Sequence, residues 1–287
     1  MKSQAGTDRR RGMTLLEVLV TMSIIGLLIA LLLPAVQFAR ETSRKIQCGS
    51  HVRQLVIAFN NYHDSYGTFP GNAPGFGWQR ASGPYLEINR QAESHALFRC
   101  PSDPEATGQI GAARSYQLNH GTGAKDGFAG QNRWNSASDI VDGLSQTAAV
   151  AERLPAPVGA GSSGFSWSSR PNDWKRRMRF MPYSGTDLKV LFDTCRNQSN
   201  PPPPFPGPEP FYTHVMTPNE NSCSNGSVLA AGFGTTPYAA TATSLHSGGV
   251  NVGFADGSVH FVAAQIDREV WWALGQRADG KSIGSGY

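Results

Sequence analysis

The sequence predicts an α+β fold in which a long N-terminal helix, transmembrane in its first part and amphipathic in its second, packs on a small antiparallel sheet. Three observations support this fold. An apolar run lies near the N-terminus, a stripe of apolar residues with helical spacing follows it, and two alternating segments flank an Asp-Gly turn near the C-terminus. Glycine, at 32 of 287 residues, exceeds the average of ~7%. The domain beyond the helix should therefore be rich in loops.

The apolar run, Met13 to Leu33, contains a single charged residue, Glu17. As a helix at ~1.5 Å per residue it would be about 31 Å long, which matches the hydrocarbon core of a bilayer. Arginines 9–11 precede it, and positive charge at this end keeps the short N-terminus in the cytoplasm. The sequence thus predicts a single-pass inner-membrane protein whose C-terminal domain is periplasmic or otherwise extracytoplasmic.

Glu17 is unusual because a carboxylate within the membrane costs roughly 2.5–3.5 kcal/mol on the mildest scale. Such a residue either has a function or lies close enough to the helix end to reach the headgroups. A cleaved secretory signal is a weaker interpretation of this segment, since its apolar region would be shorter and a small-residue cleavage site would follow. A plain signal anchor would not explain the carboxylate.

The helix should continue into water beyond Pro34. Charged residues at 40, 41, 44 and 45 mark its exit from the membrane, and Gly67 should end it. In between, apolar residues recur at steps of four and three, which predicts one buried stripe. These residues are Cys48, Val52, Leu55, Phe59 and Tyr62.

Four cysteines follow the membrane segment, and an even number outside the membrane suits two disulfides. None belongs to a C-x-x-C pair, which argues against a zinc site. Of the three possible connectivities, we prefer Cys48–Cys100 and Cys195–Cys223 because each is the shorter closure. Free, buried cysteines are the alternative.

The C-terminal region predicts a hairpin followed by a short helix. Alternating apolar residues flank Asp256-Gly257, and a two-residue Asp-Gly loop would pair Phe254 with Val259 and Val252 with Phe261 on one face. In the helix after it, Asp267 should cap the start and Gly275 should cap the end.

The segment Gly12-Met13-Thr14-Leu15-Leu16-Glu17 resembles the processing site of a type IV prepilin or a type II secretion pseudopilin. In those proteins a prepilin peptidase cuts after the glycine and methylates the new N-terminus, here Met13. Glu17 then becomes the fifth residue and Pro34 the twenty-second, positions where these families carry a glutamate and a proline. The resemblance implies that Glu17 pairs with the terminal amine of a neighbouring subunit.

A second resemblance extends over nearly the whole chain. The segment 48–71, the Cys-Pro-Ser-Asp motif at 100–103 and the segment 139–147 with Glu152 are similar to motifs of a bacterial family catalogued as domain of unknown function 1559. Its C-terminal signature, His-x9-Asp-Gly, matches His246, Asp256 and Gly257. Residues after Trp78 look shortened by comparison. The family implies an anchored, pseudopilin-like envelope protein with no established enzymatic activity and no cofactor.

These resemblances give the domain organisation that we expect. A leader peptide covers 1–12, a transmembrane helix 13–34, an amphipathic continuation 35–66 and an extracytoplasmic globular domain 67–287. Removing the leader would take away four cations and one anion and lower the net charge from +4 to about +1. A nucleic-acid partner is therefore not expected, even though Trp174 to Phe180 mixes basic and aromatic residues.

Catalytic and metal sites have little support in the sequence. Nothing in the sequence places a nucleophile, a base and an orienting residue together around His246 and Asp256, and Asp256 already fits the hairpin turn. We expect His246 to hydrogen-bond that turn or the loop below it. No ligand spacing places two of the candidate ligands His51, His63, Asp64 and His246 on one face, so no metal is expected.

The sequence favours two functions. The first is a pseudopilin-like structural subunit of a type II secretion or type IV pilus-like assembly, whose partners are the prepilin peptidase, the inner membrane, and copies of itself or other pilin-like subunits. The alternative is a membrane-anchored, extracytoplasmic ligand-binding protein that does not polymerise. In that case aromatic residues would line a ligand surface, for example Trp78, Tyr85, Trp167 and Trp174.

Overall fold

The computed structural model describes residues 14–71, 77–86, 88, 96–103, 114–123, 126–130, 133–155, 173–176, 178–181, 185–198, 211–224, 238–281 and 283. Contacts divide the chain into two units, Met1–Ser43 and Arg44–Tyr287. The second unit therefore begins inside the long helix.

The first helix, α1, covers Leu15–Tyr66 and has Pro34 in its interior. Its apolar N-terminal part is long enough to cross a membrane by length and composition. It ends as predicted at Gly67, which has φ +74° and whose N–H donates to the carbonyl of His63 at 2.7 Å. A glycine in this left-handed conformation is a common helix terminator.

Within the second unit, α1 buries one stripe against the sheet. The buried residues of α1 are Cys48, Val52, Leu55, Val56, Ala58 and Phe59. Four of the five residues of the predicted stripe are therefore buried, whereas Tyr62 is half-buried, and Val56 and Ala58 widen the stripe. A stripe of this kind is typical of a helix that faces the core of a globular domain.

The main sheet has five strands. Their bounds are β1 Tyr116–Asn119, β2 Ala148–Glu152, β4 Phe211–Tyr212, β7 Gly249–Phe254 and β8 Val259–Ala263. They lie in the order β4-β1-β2-β7-β8. Neighbouring strands run antiparallel except that β4 is parallel to β1. The α+β class is confirmed, but the sheet is mixed rather than wholly antiparallel.

Smaller elements surround this sheet. A second sheet is formed by β3 Met178–Phe180, β5 Ser222–Ser224 and β6 Tyr238–Ala239, in the order β3-β5-β6. The remaining α-helices of the described chain are α2 Trp78–Ser82, α3 Leu188–Arg196 and α4 Arg268–Gly275. Four 3₁₀ turns lie at Gly83–Leu86, Ala96–Phe98, Ala137–Asp139 and Asp173–Arg176.

Two hydrophobic clusters hold the unit together. One joins the α1 stripe to Trp78, Phe98 and Phe128. The other joins α4, through Trp271 and Leu274, to the apolar residues of β7 and to the Cys195–Cys223 disulfide. Asp267 caps α4 as predicted, because its carboxylate accepts hydrogen bonds from the first-turn N–H groups. At the other end the predicted cap Gly275 is instead the last residue of the helix, and Gln276 is the cap. Together the two clusters cover both faces of the main sheet, and all six residues of β7 are buried.

The predicted β7–β8 hairpin is present, but its register differs by one residue. Val252 lies opposite His260, and Gly253 lies opposite Val259. A shift of one residue moves every side chain of a strand to the other face. The predicted pairing of Phe254 with Val259 is therefore wrong.

The turn explains this register. The Gly257 N–H donates to the Phe254 carbonyl at 3.0 Å, and the Phe254 N–H donates to the Ser258 carbonyl at 2.9 Å. Gly257 has φ +93°, and the Asp256 carboxylate accepts from the N–H of Ser258 at 2.8 Å. The connection is longer than a two-residue loop and has its glycine at the position that requires positive φ.

Candidate functional site

The N-terminal segment contains one carboxylate within the apolar part of α1. Glu17 is exposed, and its Oε2 atom accepts hydrogen bonds from the N–H of Thr14 at 2.8 Å and from its hydroxyl at 2.9 Å. In return the Thr14 hydroxyl accepts from the N–H of Glu17 at 3.3 Å. This reciprocal pattern is a capping box at the start of the helix. The expected processing site, Gly12 and Met13, lies outside the described residues.

A second group of functional candidates meets in the core of the globular unit. Cys48 comes from α1, Cys100 follows the Ala96–Phe98 turn, Glu152 ends β2, and His246 precedes β7. One ligand-type atom from each lies within 4.8 Å of those of the other three. All four residues are at least 96% buried. Four separate elements thus bring together two sulfurs, one carboxylate and one imidazole.

His246 stands at the centre of this cluster. Its Nε2 atom is 3.4 Å from Sγ of Cys100 and 3.3 Å from Oε1 of Glu152. The sequence predicted a bond to the hairpin turn or the loop below it. The main-chain N–H of His246 donates to the hydroxyl of Ser244 in the preceding loop at 3.2 Å, while its ring contacts the disulfide and the carboxylate.

Asn251 holds the Glu152 carboxylate in place. The main-chain N–H of Asn251 donates to Oε2 at 2.9 Å, and its side-chain amide donates to Oε1 at 3.0 Å. The same amide lies 3.5 Å from the Lys45 carbonyl on α1. A carboxylate with three polar neighbours is stable in the interior, where an unpaired one would be costly.

Tyr116 adds a further polar group beside the cluster. Its hydroxyl is 3.3 Å from Nδ1 of His51 on α1. Burial raises the pKa of Tyr116 well above its ordinary value, and the negative charge of Glu152 raises it further. The surroundings of Tyr116 therefore favour the protonated phenol more than water does.

The structure pairs the four cysteines as predicted, Cys48 with Cys100 and Cys195 with Cys223. The two disulfides have different surroundings. The first is beside His246, whereas the sulfurs of the second face main-chain carbonyls, and Cys195 Sγ is 3.7 Å from the Asn221 oxygen. Among the residues that the structure describes, the cluster at the first disulfide is the single group with metal-ligand geometry.

The Cys-Pro-Ser-Asp motif places a buried acid next to this cluster. Asp103, which is 1% exposed, forms an ion pair with Arg176, which is 4% exposed. The Arg176 guanidinium also donates to the carbonyl of Pro155 at 3.1 Å. Arg176 belongs to the basic segment 174–180, so one of the cations of that segment is buried in an ion pair. Lys175 likewise donates to the Ser244 carbonyl at 2.8 Å.

The residues of the His-x9-Asp-Gly signature lie in two different places in the structure. Asp256 and Gly257 form the hairpin turn, while His246 belongs to the buried cluster. The aromatic residues that we considered for a ligand surface differ in exposure, and Tyr85 is half-buried. Trp78 is fully buried in the core, Trp174 is 40% exposed, and Trp167 lies outside the described residues.

Comparisons with known families agree with these motifs. The family model described as "Protein of unknown function (DUF1559)" matches residues 37–88 and 78–269, which is most of the chain. The model described as "Prokaryotic N-terminal methylation motif" matches residues 7–33. No curated protein and no solved structure matches the chain. The methylation motif and the apolar helix that follows it indicate a membrane anchor. The chain therefore belongs to the DUF1559 family and has the N-terminus of a prepilin-like precursor.

Proposed function

We propose that this protein is a pseudopilin-like structural subunit of a type II secretion or type IV pilus-like assembly. A prepilin peptidase would cut it between Gly12 and Met13 and methylate Met13. The observation that carries this proposal is the N-terminal methylation motif at residues 7–33, joined to a continuous helix with one carboxylate in its apolar part. In this proposal the globular unit is extracytoplasmic, has a structural rather than an enzymatic role, and does not bind nucleic acid.

The surface of α1 supports assembly. All residues from 14 to 40 are exposed, including the bulky apolar ones, of which Leu15 is 82% and Leu31 68% exposed. Lipid covers such a surface in a monomer, and neighbouring helices cover it in a filament. Glu17 needs an opposite charge once it enters lipid, because a buried carboxylate without a partner is costly. The terminal amine of a neighbouring subunit would supply that charge.

The capping box makes a sharp test possible, because it offers a second reason for Glu17 to be present. Glu17→Gln removes the charge but keeps a side chain that can complete the box. Thr14→Ala removes the box and keeps the charge. If Glu17 acts in assembly through its charge, Glu17→Gln should abolish incorporation into filaments or complexes, and Thr14→Ala should retain it.

Intact mass of each variant from native membranes must be measured first. Loss of residues 1–12 with one added methyl group on Met13 would establish processing, and crosslinking in the same membranes would report assembly. An uncut, unmethylated N-terminus would refute the proposal. Processed protein that stays monomeric, with equal behaviour of wild type and Glu17→Gln, would favour the anchored ligand-binding alternative.

A further inference from the structure

The Cys48–Cys100 disulfide lies in surroundings that a structural disulfide does not need. A disulfide is an uncharged, apolar cross-link, yet this one is in contact with a buried imidazole, which in turn contacts a buried carboxylate. Bringing two polar side chains into a core costs free energy unless they bond to each other or to a third group. Cysteine sulfur, histidine nitrogen and glutamate oxygen are each ligands that zinc uses in proteins.

The distances match a tetrahedral zinc site. With Zn–S of about 2.3 Å and Zn–N and Zn–O of about 2.0–2.1 Å, two ligand atoms on one ion lie about 3.6 Å apart for N and S and about 3.3 Å apart for N and O. In the structure His246 Nε2 is 3.4 Å from Cys100 Sγ and 3.3 Å from Glu152 Oε1. The imidazole and the carboxylate are thus already spaced as ligands of one ion.

The fourth ligand, Cys48, is within reach once the S–S bond is broken. Its Cα atom is 5.3 Å from that of Cys100, so rotation about the two Cα–Cβ bonds can open the space that an ion needs. Asn251 provides the outer support that metal sites use, because it donates twice to the Glu152 carboxylate and thereby fixes its orientation.

We propose that, when the Cys48–Cys100 bond is reduced, the side chains of Cys48, Cys100, Glu152 and His246 bind one Zn²⁺, and that the disulfide is the metal-free form of the same site. A dithiol donor would supply two electrons and two protons to the disulfide and become a disulfide itself. Zinc would then displace one proton from each cysteine thiol. Reoxidation of the two thiolates by a disulfide oxidant would release the ion.

The other disulfide provides an internal control. Cys195 and Cys223 are equally buried, and both their sulfurs face main-chain carbonyls. They belong to no described group of three or more potential ligands. Reduction should therefore create one metal site in the protein rather than two.

The experiment uses the full chain in detergent, reduced with a phosphine. The phosphine is oxidised to its oxide with oxygen taken from water. We choose it because it does not compete for zinc as a dithiol would. Reduced protein is titrated without air with Co²⁺ and then with Zn²⁺. We expect one ion per chain, an absorption spectrum of tetrahedral cobalt with thiolate charge transfer, release of about two protons per ion, and loss of the spectrum when zinc is added. The oxidised protein should bind none.

Two sets of variants locate the site. His246→Asn and Glu152→Gln should each weaken binding by at least ~10-fold, whereas the Cys195→Ser/Cys223→Ser double variant should retain one ion with unchanged affinity. Both single variants leave the Cys48–Cys100 disulfide available, so their folding can be checked in the oxidised state. The proposal is overturned if reduced wild-type protein binds no ion, if His246→Asn binds as tightly as wild type, or if the Cys195→Ser/Cys223→Ser protein loses the site.

Discussion

Nε2 of His246 lies 3.4 Å from Sγ of Cys100, although 146 positions separate the two residues along the chain. The contact joins two motifs that the sequence presents as unrelated, the Cys-Pro-Ser-Asp turn and the His-x9-Asp-Gly signature. Glu152 and Cys48 complete the cluster from two further elements. Motifs that share no local structural role thus meet at one buried site, which ties α1 to the sheet.

Glu152 should be among the most sensitive positions of the globular unit. Replacement by alanine leaves the N–H and the amide of Asn251 without their acceptor and removes the partner of His246. We expect Glu152→Ala to lower the free energy of unfolding by about 3–5 kcal/mol, as for other broken buried pairs. Glu152→Gln should cost less because its amide oxygen still accepts. Urea unfolding of the oxidised protein measures both, and exposed Glu269→Ala should change stability by no more than about 0.5 kcal/mol. Equal losses in the free energy of unfolding for all three variants would contradict the stabilising role of Glu152.

Gly253 allows α1 to approach β7 closely. A Cβ atom added there would lie 2.5 Å from Cγ2 of Val56 and 2.8 Å from Cγ1 of Val52. Gly253→Ala should therefore destabilise the protein by about 1–3 kcal/mol through overpacking. Combining it with Val56→Ala removes one clashing methyl, so the double variant should be more stable than the sum of the two single effects predicts. If the stability effects of Gly253→Ala and Val56→Ala are strictly additive in a double-mutant cycle, the two positions are not in contact and the prediction is contradicted.

The sequence predicted correctly those features of the fold that depend on interactions between residues close together in the chain. The four-three spacing from Cys48 identified the buried face of α1, Gly67 identified its end, and Asp267 identified the cap of α4. Each depends on residues within one or two turns of helix. The hairpin shows the limit of such reasoning. Its strands were recognised, but the alternation of apolar residues suits both registers when both faces of a strand are buried, and the turn at Gly257 decides between them.

The buried cluster was beyond sequence reasoning for a different reason. Cys48, Cys100, Glu152 and His246 each lie in or beside a different element, and the spacing between them has no helical or strand period. Only the folded sheet, with β2 beside β7 and α1 across both, defines their distances. The absence of a C-x-x-C pair argued against a metal site, but that argument applies to sites built on one loop. A single hint was available: the matching motifs all contained a sulfur, a carboxylate or an imidazole.

The Asp103–Arg176 pair gives a further test of the interior. Both side chains are almost inaccessible, at 1% and 4% exposure. Removing one partner leaves a buried charge without compensation, so Arg176→Met or Asp103→Leu alone should cost about 3–5 kcal/mol. The double variant should cost clearly less than the sum. Arg196→Met serves as the control, because Arg196 is 63% exposed in its pair with Glu220 and should contribute no more than about 1 kcal/mol. Additive losses from the two single variants would refute the pairing.

Acid should destabilise the globular unit through two buried histidines. Burial lowers the pKa of His120 to about 4 and that of His214 to about 3. The His214 ring is bonded on both sides, with Nδ1 2.7 Å from the Trp271 carbonyl and Nε2 2.9 Å from the Tyr212 hydroxyl. That arrangement suits a neutral imidazole, which donates at one nitrogen and accepts at the other.

The proton balance between the folded and unfolded states sets the direction of this effect. Below about pH 6.5 the unfolded chain binds a proton at each histidine, whereas the folded protein does not until the pH approaches 4 or 3. Stability should therefore fall as the pH is lowered from 6.5, by about 1.4 kcal/mol per pH unit for each histidine. His214→Asn should remove the contribution of one histidine from the slope of the free energy of unfolding against pH. This holds whatever the substitution does to stability at pH 7. Urea unfolding of the full chain between pH 4.5 and 7.5 measures the slope, and His260→Asn, at an exposed position, is the matched control. A slope that is the same in His214→Asn and wild type would show that His214 does not take up a proton on unfolding.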